Sequence, residues 1–194
     1  MQLRHNLYIY KADSTEPNDP RYQAGDLWGM EKIDANDAWD IATDSEIIVA
    51  VIDTGVDYTH PDLAANMWVN EDEYYGESGV DEDDNGCIDD IYGYDFCYDR
   101  VFHKPRDSDP MDDNGHGTRC AGTIGAVGDN NEGVTGVCWN VRIMAIKWLN
   151  WRGDGVTIDA VDAIKYAIKM EVDVLNNSWG GIGDDPLLKG YQSC

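Results

Sequence analysis

Positive charge is what this 194-residue chain has least of: 14 Lys and Arg stand against 38 Asp and Glu, a formal net charge of -24. Such a balance excludes nucleic acid and anionic membrane as electrostatic partners and favours cations. Long apolar runs are also missing. The stretch around Ile47 to Ile52 is far too short to span a bilayer, so no transmembrane helix is expected. Met1 to Lys11 has no continuous apolar core, so no signal peptide is expected in this chain. The five cysteines, Cys87, Cys97, Cys120, Cys138 and Cys194, never fall at C-x-x-C spacing, which removes support for zinc ribbons and thioredoxin-type redox chemistry. Their odd number leaves at least one unpaired thiol within a single chain.

What is present fits one domain: 42% of the residues are hydrophobic, enough for a real core. The acids are unevenly spread. Residues 71–113 hold sixteen of them against Arg100, Lys104 and Arg106, interrupted by tyrosines, glycines and Ile88, which suits an ordered ion-binding insert better than a solvated tail. Elsewhere the pattern alternates. Residues 46–53 and 141–149 read as buried strands, and 172–175 as a third. A short helix capped by Asp34 or Asn36 runs to Trp39, a small-residue helix covers 115–126, and 157–170 reads as an amphipathic helix with Ile158, Val161, Ile164 and Ile168 on one face. Strands alternating with helices predict an α/β fold with a mostly parallel, doubly wound sheet, whose ligands bind beyond the carboxyl ends of the strands.

Two segments fall at such ends. Val49-Ala50-Val51-Ile52-Asp53-Thr54-Gly55 places a carboxylate at the close of an apolar strand, and Asp113-Asn114-Gly115-His116-Gly117-Thr118 places an imidazole at the entrance of a helix. A half-buried carboxylate can hold one imidazole nitrogen, fix the tautomer and stabilise the imidazolium. Either segment alone has an ordinary explanation, a strand-ending turn or a helix cap. Together, with glycines on both sides that admit backbone or substrate, they predict Asp53 as orienter and His116 as base.

The second constellation is for cations. In Asp81-Glu82-Asp83-Asp84-Asn85-Gly86-Cys87-Ile88-Asp89-Asp90, oxygen-bearing side chains recur at every second position before a glycine, as in a loop that wraps a hard ion. The twelfth position is Tyr92, so a standard EF-hand is excluded. Asp81, Asp83, Asn85 and the Cys87 carbonyl are the expected ligands, with Asp89 or Asp90 closing the shell.

The motifs around Asp53 and His116, with Leu175-Asn176-Asn177-Ser178-Trp179-Gly180-Gly181, resemble the subtilisin-like serine proteases, from about Asn18 to Gly181. The resemblance implies a three-layer, subtilisin-like α/β fold with a triad in the order Asp, His, Ser. It implies two walls for an extended peptide, Ser178, Trp179 and Gly180 on one side and Gly153, Asp154 and Gly155 on the other. It also implies a Ca2+ site between Asp62 and a loop containing Val127, Asn130 or Asn131, and Val134, making one or two calcium sites in all. Arg119-Cys120 resembles the kexin and furin branch, whereas Asp-Thr-Gly and the acidic insert resemble the calcium-rich bacterial branch. Cys120, one turn past His116, is either a thiol beneath the site or a small core residue.

The family's Gly-Thr-Ser nucleophile turn and oxyanion asparagine are absent from these residues, and Ser193 stands in no comparable context. The expectation is therefore an N-terminal portion of a peptidase domain over 18–194, incomplete at the C-terminal side of its sheet and inactive alone, with residues 1–17 as prodomain tail or linker. Expected partners are a peptide or protein substrate, the missing C-terminal half and the prodomain, in an extracellular setting. Asp184 and Asp185 either favour basic substrate side chains or form a solvated turn. Two other readings compete: a non-catalytic calcium- or peptide-binding relative, and an aspartic protease built on Asp53-Thr54-Gly55. The second conflicts with Val56 after the glycine and with the strong helices.

Overall fold

The structure, a computed structural model, describes residues 15–98 and 104–180. Four strands form one parallel sheet: β1 (Asp44–Asp53), β2 (Gly93–Asp95), β3 (Asn140–Lys147) and β4 (Val174–Asn176), in the order β2-β3-β1-β4. Burial follows from period-two alternation. Ala50 and Ile52 of β1 join Met144 and Ile146 of β3 on one face, while Val49 and Val51 join Val141, Ile143 and Ala145 on the other. Continuing that alternation puts Asp53 on the second face, opposite Lys147 of β3, which in turn pairs with Asp95 of β2. Three ionisable side chains thus form a row across the carboxyl end of the sheet.

Helices cover both faces, which gives the three-layer arrangement expected for a doubly wound sheet. The first face packs against α6 (Thr157–Lys169), and the second against α5 (His116–Gly125), whose Ala121 belongs to the same cluster as Val49, Val51 and Val56. Three short helices, α1 (Pro20–Gln23), α2 (Trp28–Lys32) and α3 (Ala35–Trp39), lead into β1. Met30, Ala35 and Trp39 from α2 and α3 close a third small core around Trp139.

Several boundaries and faces differ from the sequence reading. Of the expected α6 face, Val161 and Ile164 are buried, but Ile158 and Ile168 are 50% and 51% exposed. The buried arc centres on Ala160, Ala163, Ile164 and Ala167, small residues that let the helix approach the sheet closely. On a 3.6-residue wheel Ile158 lies opposite that arc, so size of side chain misled where spacing would not have. The strand expected at 172–175 starts two residues later and ends one later, as Val174–Asn176. Asp34 precedes α3 in a left-handed conformation (φ 54°) and makes no side-chain cap. The segment 71–113 is more than an insert, because it contributes both α4 (Glu71–Tyr75) and the edge strand β2.

Candidate active site and cation sites

The strand alternation that turns Asp53 toward α5 meets the first residue of that helix. His116 Nδ1 lies 2.7 Å from Asp53 Oδ1. Because an ionised carboxylate only accepts, Nδ1 carries the hydrogen and Nε2 keeps its lone pair. Asp53 is fully buried, while the His116 side chain is 48% exposed, so one end of the pair is fixed and the other faces the cleft. Thr54 N also donates to Asp53 Oδ1, at 2.7 Å.

The helix entrance is held by a carboxylate the sequence reading passed over. Asp112 accepts from Asn114 N, Gly115 N, Thr118 N and Thr118 Oγ1, and from Thr54 Oγ1 at 2.9 Å. Burial works against its charge, but these donors prevail and hold its carboxyl below the usual value. Thr54 Oγ1 also accepts Gly117 N at 3.0 Å, so Asp112 and Thr54 together lock α5 to the end of β1. The packing there is close. A Cβ on Gly117 would stand 2.0 Å from the Gly55 carbonyl and 3.1 Å from Asp53 Cβ, so only glycine permits the Asp53–His116 approach. Lys147 completes the clamp: its buried ammonium donates to the Thr54 carbonyl (2.6 Å) and to Asp113 (2.7 Å).

Cys120, one turn on, is half-buried. Its side chain packs in part against the apolar cluster of α5, and its Sγ sits 3.9 Å from His116 Nδ1. Burial pushes its thiol up; the Ser178 hydroxyl partly opposes this and the Asp53 charge adds to it.

The two proposed substrate walls converge through their tryptophans. Trp179, beside Ser178 and Gly180, donates Nε1–H to the Ile52 carbonyl (2.8 Å) and packs edge-on against Trp148 with centroids 4.6 Å apart. Trp148 in turn fills the space a Cβ on Gly155 would need, next to Gly153 and Asp154. Asn114, two residues before His116, donates to the Trp151 carbonyl (2.9 Å), tying this wall to the histidine loop. Asp184, Asp185, Ser193, Cys194 and most of residues 1–17 lie outside the described residues.

In the acidic segment the structure gathers a different set from the expected loop. Ligand oxygens of Glu73, Asp81 and Asp83 all lie within 4.8 Å of one another. Glu73, missed because it precedes the loop on α4, is buried, and burial raises its carboxyl. Asp90 is buried beside them, bonded by Asn70 (3.0 Å), Asn85 (2.9 Å) and the Tyr166 hydroxyl; burial lifts it to about 6. Asn85 turns its amide nitrogen, not its oxygen, to Asp83 and Asp90. Asp89 sits at φ 55° and directs both carboxylate oxygens to Gly79 N, away from the group. The Cys87 thiol is buried in the α6-side core, and burial pushes it up to about 12.

The residues of the second expected cation site are joined by hydrogen bonds and face a further acid. Asp62 accepts from Asn130 Nδ2 (2.8 Å) and Val134 N (2.9 Å), and its carbonyl accepts Val127 N (2.9 Å). Asn131 donates its backbone N–H to Asn18 Oδ1 (2.6 Å). Facing this loop is Asp19, fully buried, with Oδ2 bonded by Asp129 N (2.8 Å) and Oδ1 without a partner. Burial first, and Asp62 further, raise its carboxyl. Two buried acids repelling each other around an unsatisfied oxygen fit a bound cation.

Known proteins share this architecture. The sequence profile of the Subtilase family matches residues 44–192. Subtilisin-like protease 1 of Plasmodium berghei is 36% identical over 155 residues, 78% of this chain and 25% of that protein. Thermitase of Thermoactinomyces vulgaris is 34% identical over 165 residues, 85% of this chain and 48% of the relative. A solved protease from Pseudoalteromonas arctica superposes with a TM-score of 0.69 at 29% identity, covering 91% of this chain and 54% of that one. The chain therefore spans between a quarter and about half of these three proteins. The family profile covers well over half of this sequence, and the chain belongs to the subtilase family.

Proposed function

We propose that this chain supplies the orienting carboxylate and the general base of a serine-type endopeptidase, with the nucleophile and oxyanion donor furnished by polypeptide outside these 194 residues. The 2.7 Å contact between a fully buried Asp53 and a half-exposed His116 carries this reading. Asp53 keeps the hydrogen on Nδ1, so Nε2 is free to take the proton of a serine hydroxyl as its oxygen attacks a peptide carbonyl. The imidazolium that results faces the Asp53 carboxylate and then returns the proton to the leaving amine. An extended peptide lies between Gly153, Asp154 and Gly155 and Ser178, Trp179 and Gly180, held by main-chain hydrogen bonds. Alone, the chain has the base and no group to activate.

Calcium is the cation this reading assigns to Glu73, Asp81, Asp83 and Asp90, and to Asp19, Asp62 and Asn130, because all the donors are hard oxygens. Bound there, it would offset converging carboxylate charge and staple the loops to the sheet. The demand for a cation of this kind suits an extracellular setting. In the protein at its natural length, Asp53→Asn should abolish cleavage of an unfolded protein substrate while leaving peptide binding intact. Undiminished cleavage would refute Asp53 as the orienting carboxylate; binding without cleavage in the unmodified protein would refute the endopeptidase reading and make it a peptide-binding relative.

A further inference from the structure

The turn at 150–154 joins β3 to the wall of Gly153, Asp154 and Gly155, and it is tightly built. Asn150 N donates to the Asp154 carbonyl (2.9 Å) and Gly153 N to the Asn150 carbonyl (2.8 Å), with Gly153 at φ 79°. Asn150 Oδ1 accepts Arg152 N (2.8 Å) and Asp154 N (3.2 Å). At its tip Trp151 is 40% exposed, and the Arg152 guanidinium lies 4.4 Å from the centre of its ring. The Trp151 carbonyl is the group that receives Asn114, so this tip stands beside the histidine loop.

Arg152 is stacked but unpaired. In a chain with 38 acids it forms no ion pair among the described residues, and neither do Lys32, Arg119, Arg142 or Lys169; unlike those four, it lies over an aromatic ring. Its neighbour Asp154 does not pair with it. Stacking on Trp151 holds the planar fork in place, leaving its edge for an acceptor that comes from outside. An arginine already ordered loses less freedom when it binds a carboxylate.

We propose that Trp151 and Arg152 form an acid-selecting subsite of the cleft, which binds an Asp or Glu side chain of the substrate residue lying against the 150–154 turn. This rests on the endopeptidase reading. Elsewhere the net charge of -24 repels acidic peptides, so Arg152 would make one position acid-tolerant in a cleft that otherwise disfavours acids.

The test uses the protein at its natural length and internally quenched peptides that differ at one residue, scanned with Asp, Glu, Asn and Lys. At one position kcat/KM for Asp or Glu should exceed that for Asn by about five- to tenfold at low salt, falling as salt rises. Arg152→Gln should erase the preference while cleaving the Asn peptide at the unmodified rate. Arg152→Lys should keep part of it, as an unstacked point charge. Equal rates for Asp and Asn, a preference that survives Arg152→Gln, or a uniform loss on all peptides would overturn the subsite and leave the endopeptidase reading standing. Cleavage of no peptide by the unmodified protein would remove both.

Discussion

Two groups of carboxylates, each with buried members, are partnered in opposite ways in this chain. Asp53 has its cation-forming partner built in: His116 is 2.7 Å away, and the pair can pass a proton without any outside ion. Glu73, Asp81, Asp83 and Asp90 have none, since among the described residues no Lys, Arg or His pairs with them. The first has one end buried and the other open to the cleft. In the second, burial lifts Asp90 to about 6 while hydrogen bonds from Tyr166, Asn85 and Asn70 oppose that rise, and the proposed cation would relieve the remaining repulsion. Buried acid alone therefore says little about function; what stands within reach of it decides.

The comparison breaks most visibly at His116. In the natural-length protein, His116→Ala should lower kcat/KM by on the order of a millionfold, the size of loss known for subtilisin itself, with little change in Tm. A parallel collapse of Tm would mean that the pair is structural. Chelation should do the reverse at the acidic groups. Stripping calcium should remove about 3–4 kcal/mol at saturating ion and lower Tm by roughly 10 °C, whereas an unchanged melting curve would refute the cation sites.

A smaller effect comes from Asp95, which lies between the two cases. It is buried, and burial lifts it to about 7 even though Lys104 is 3.5 Å away. A carboxyl raised in the fold contributes stability that is full below its unfolded value near 4 and is lost as pH rises through about 7. Asp95→Asn should therefore flatten the Tm profile between pH 4 and 8, a change on the order of 2 kcal/mol across the window. A profile identical to that of the unmodified protein would show that Lys104 and Lys147 already neutralise it.

Much of the catalytic half was legible because its determinants are local. Alternation along β1 orients Asp53, and Gly117 permits the contact because any side chain there would strike the Gly55 carbonyl. Both sit in short runs around the residues they serve. The acidic segment was legible only as a repeat. Periodicity picked out Asp81 and Asp83, which do cluster, but could not show that a positive φ swings Asp89 aside or that Glu73 reaches in from α4. Asp19 was hidden for the same reason, since it meets Asp62 from a segment far away in the chain. Asp112 and Lys147 carried no signal, because one acid among sixteen and one lysine ending an apolar strand look ordinary until the loop folds over them.

The most direct test is to treat the natural-length protein with a serine-directed fluorophosphonate and locate the label by mass spectrometry. The account predicts a single labelled serine outside residues 1–194, with labelling lost in His116→Ala. Absence of any label, or labelling that persists at full rate without His116, would contradict the claim that Asp53 and His116 are the poised half of a serine protease.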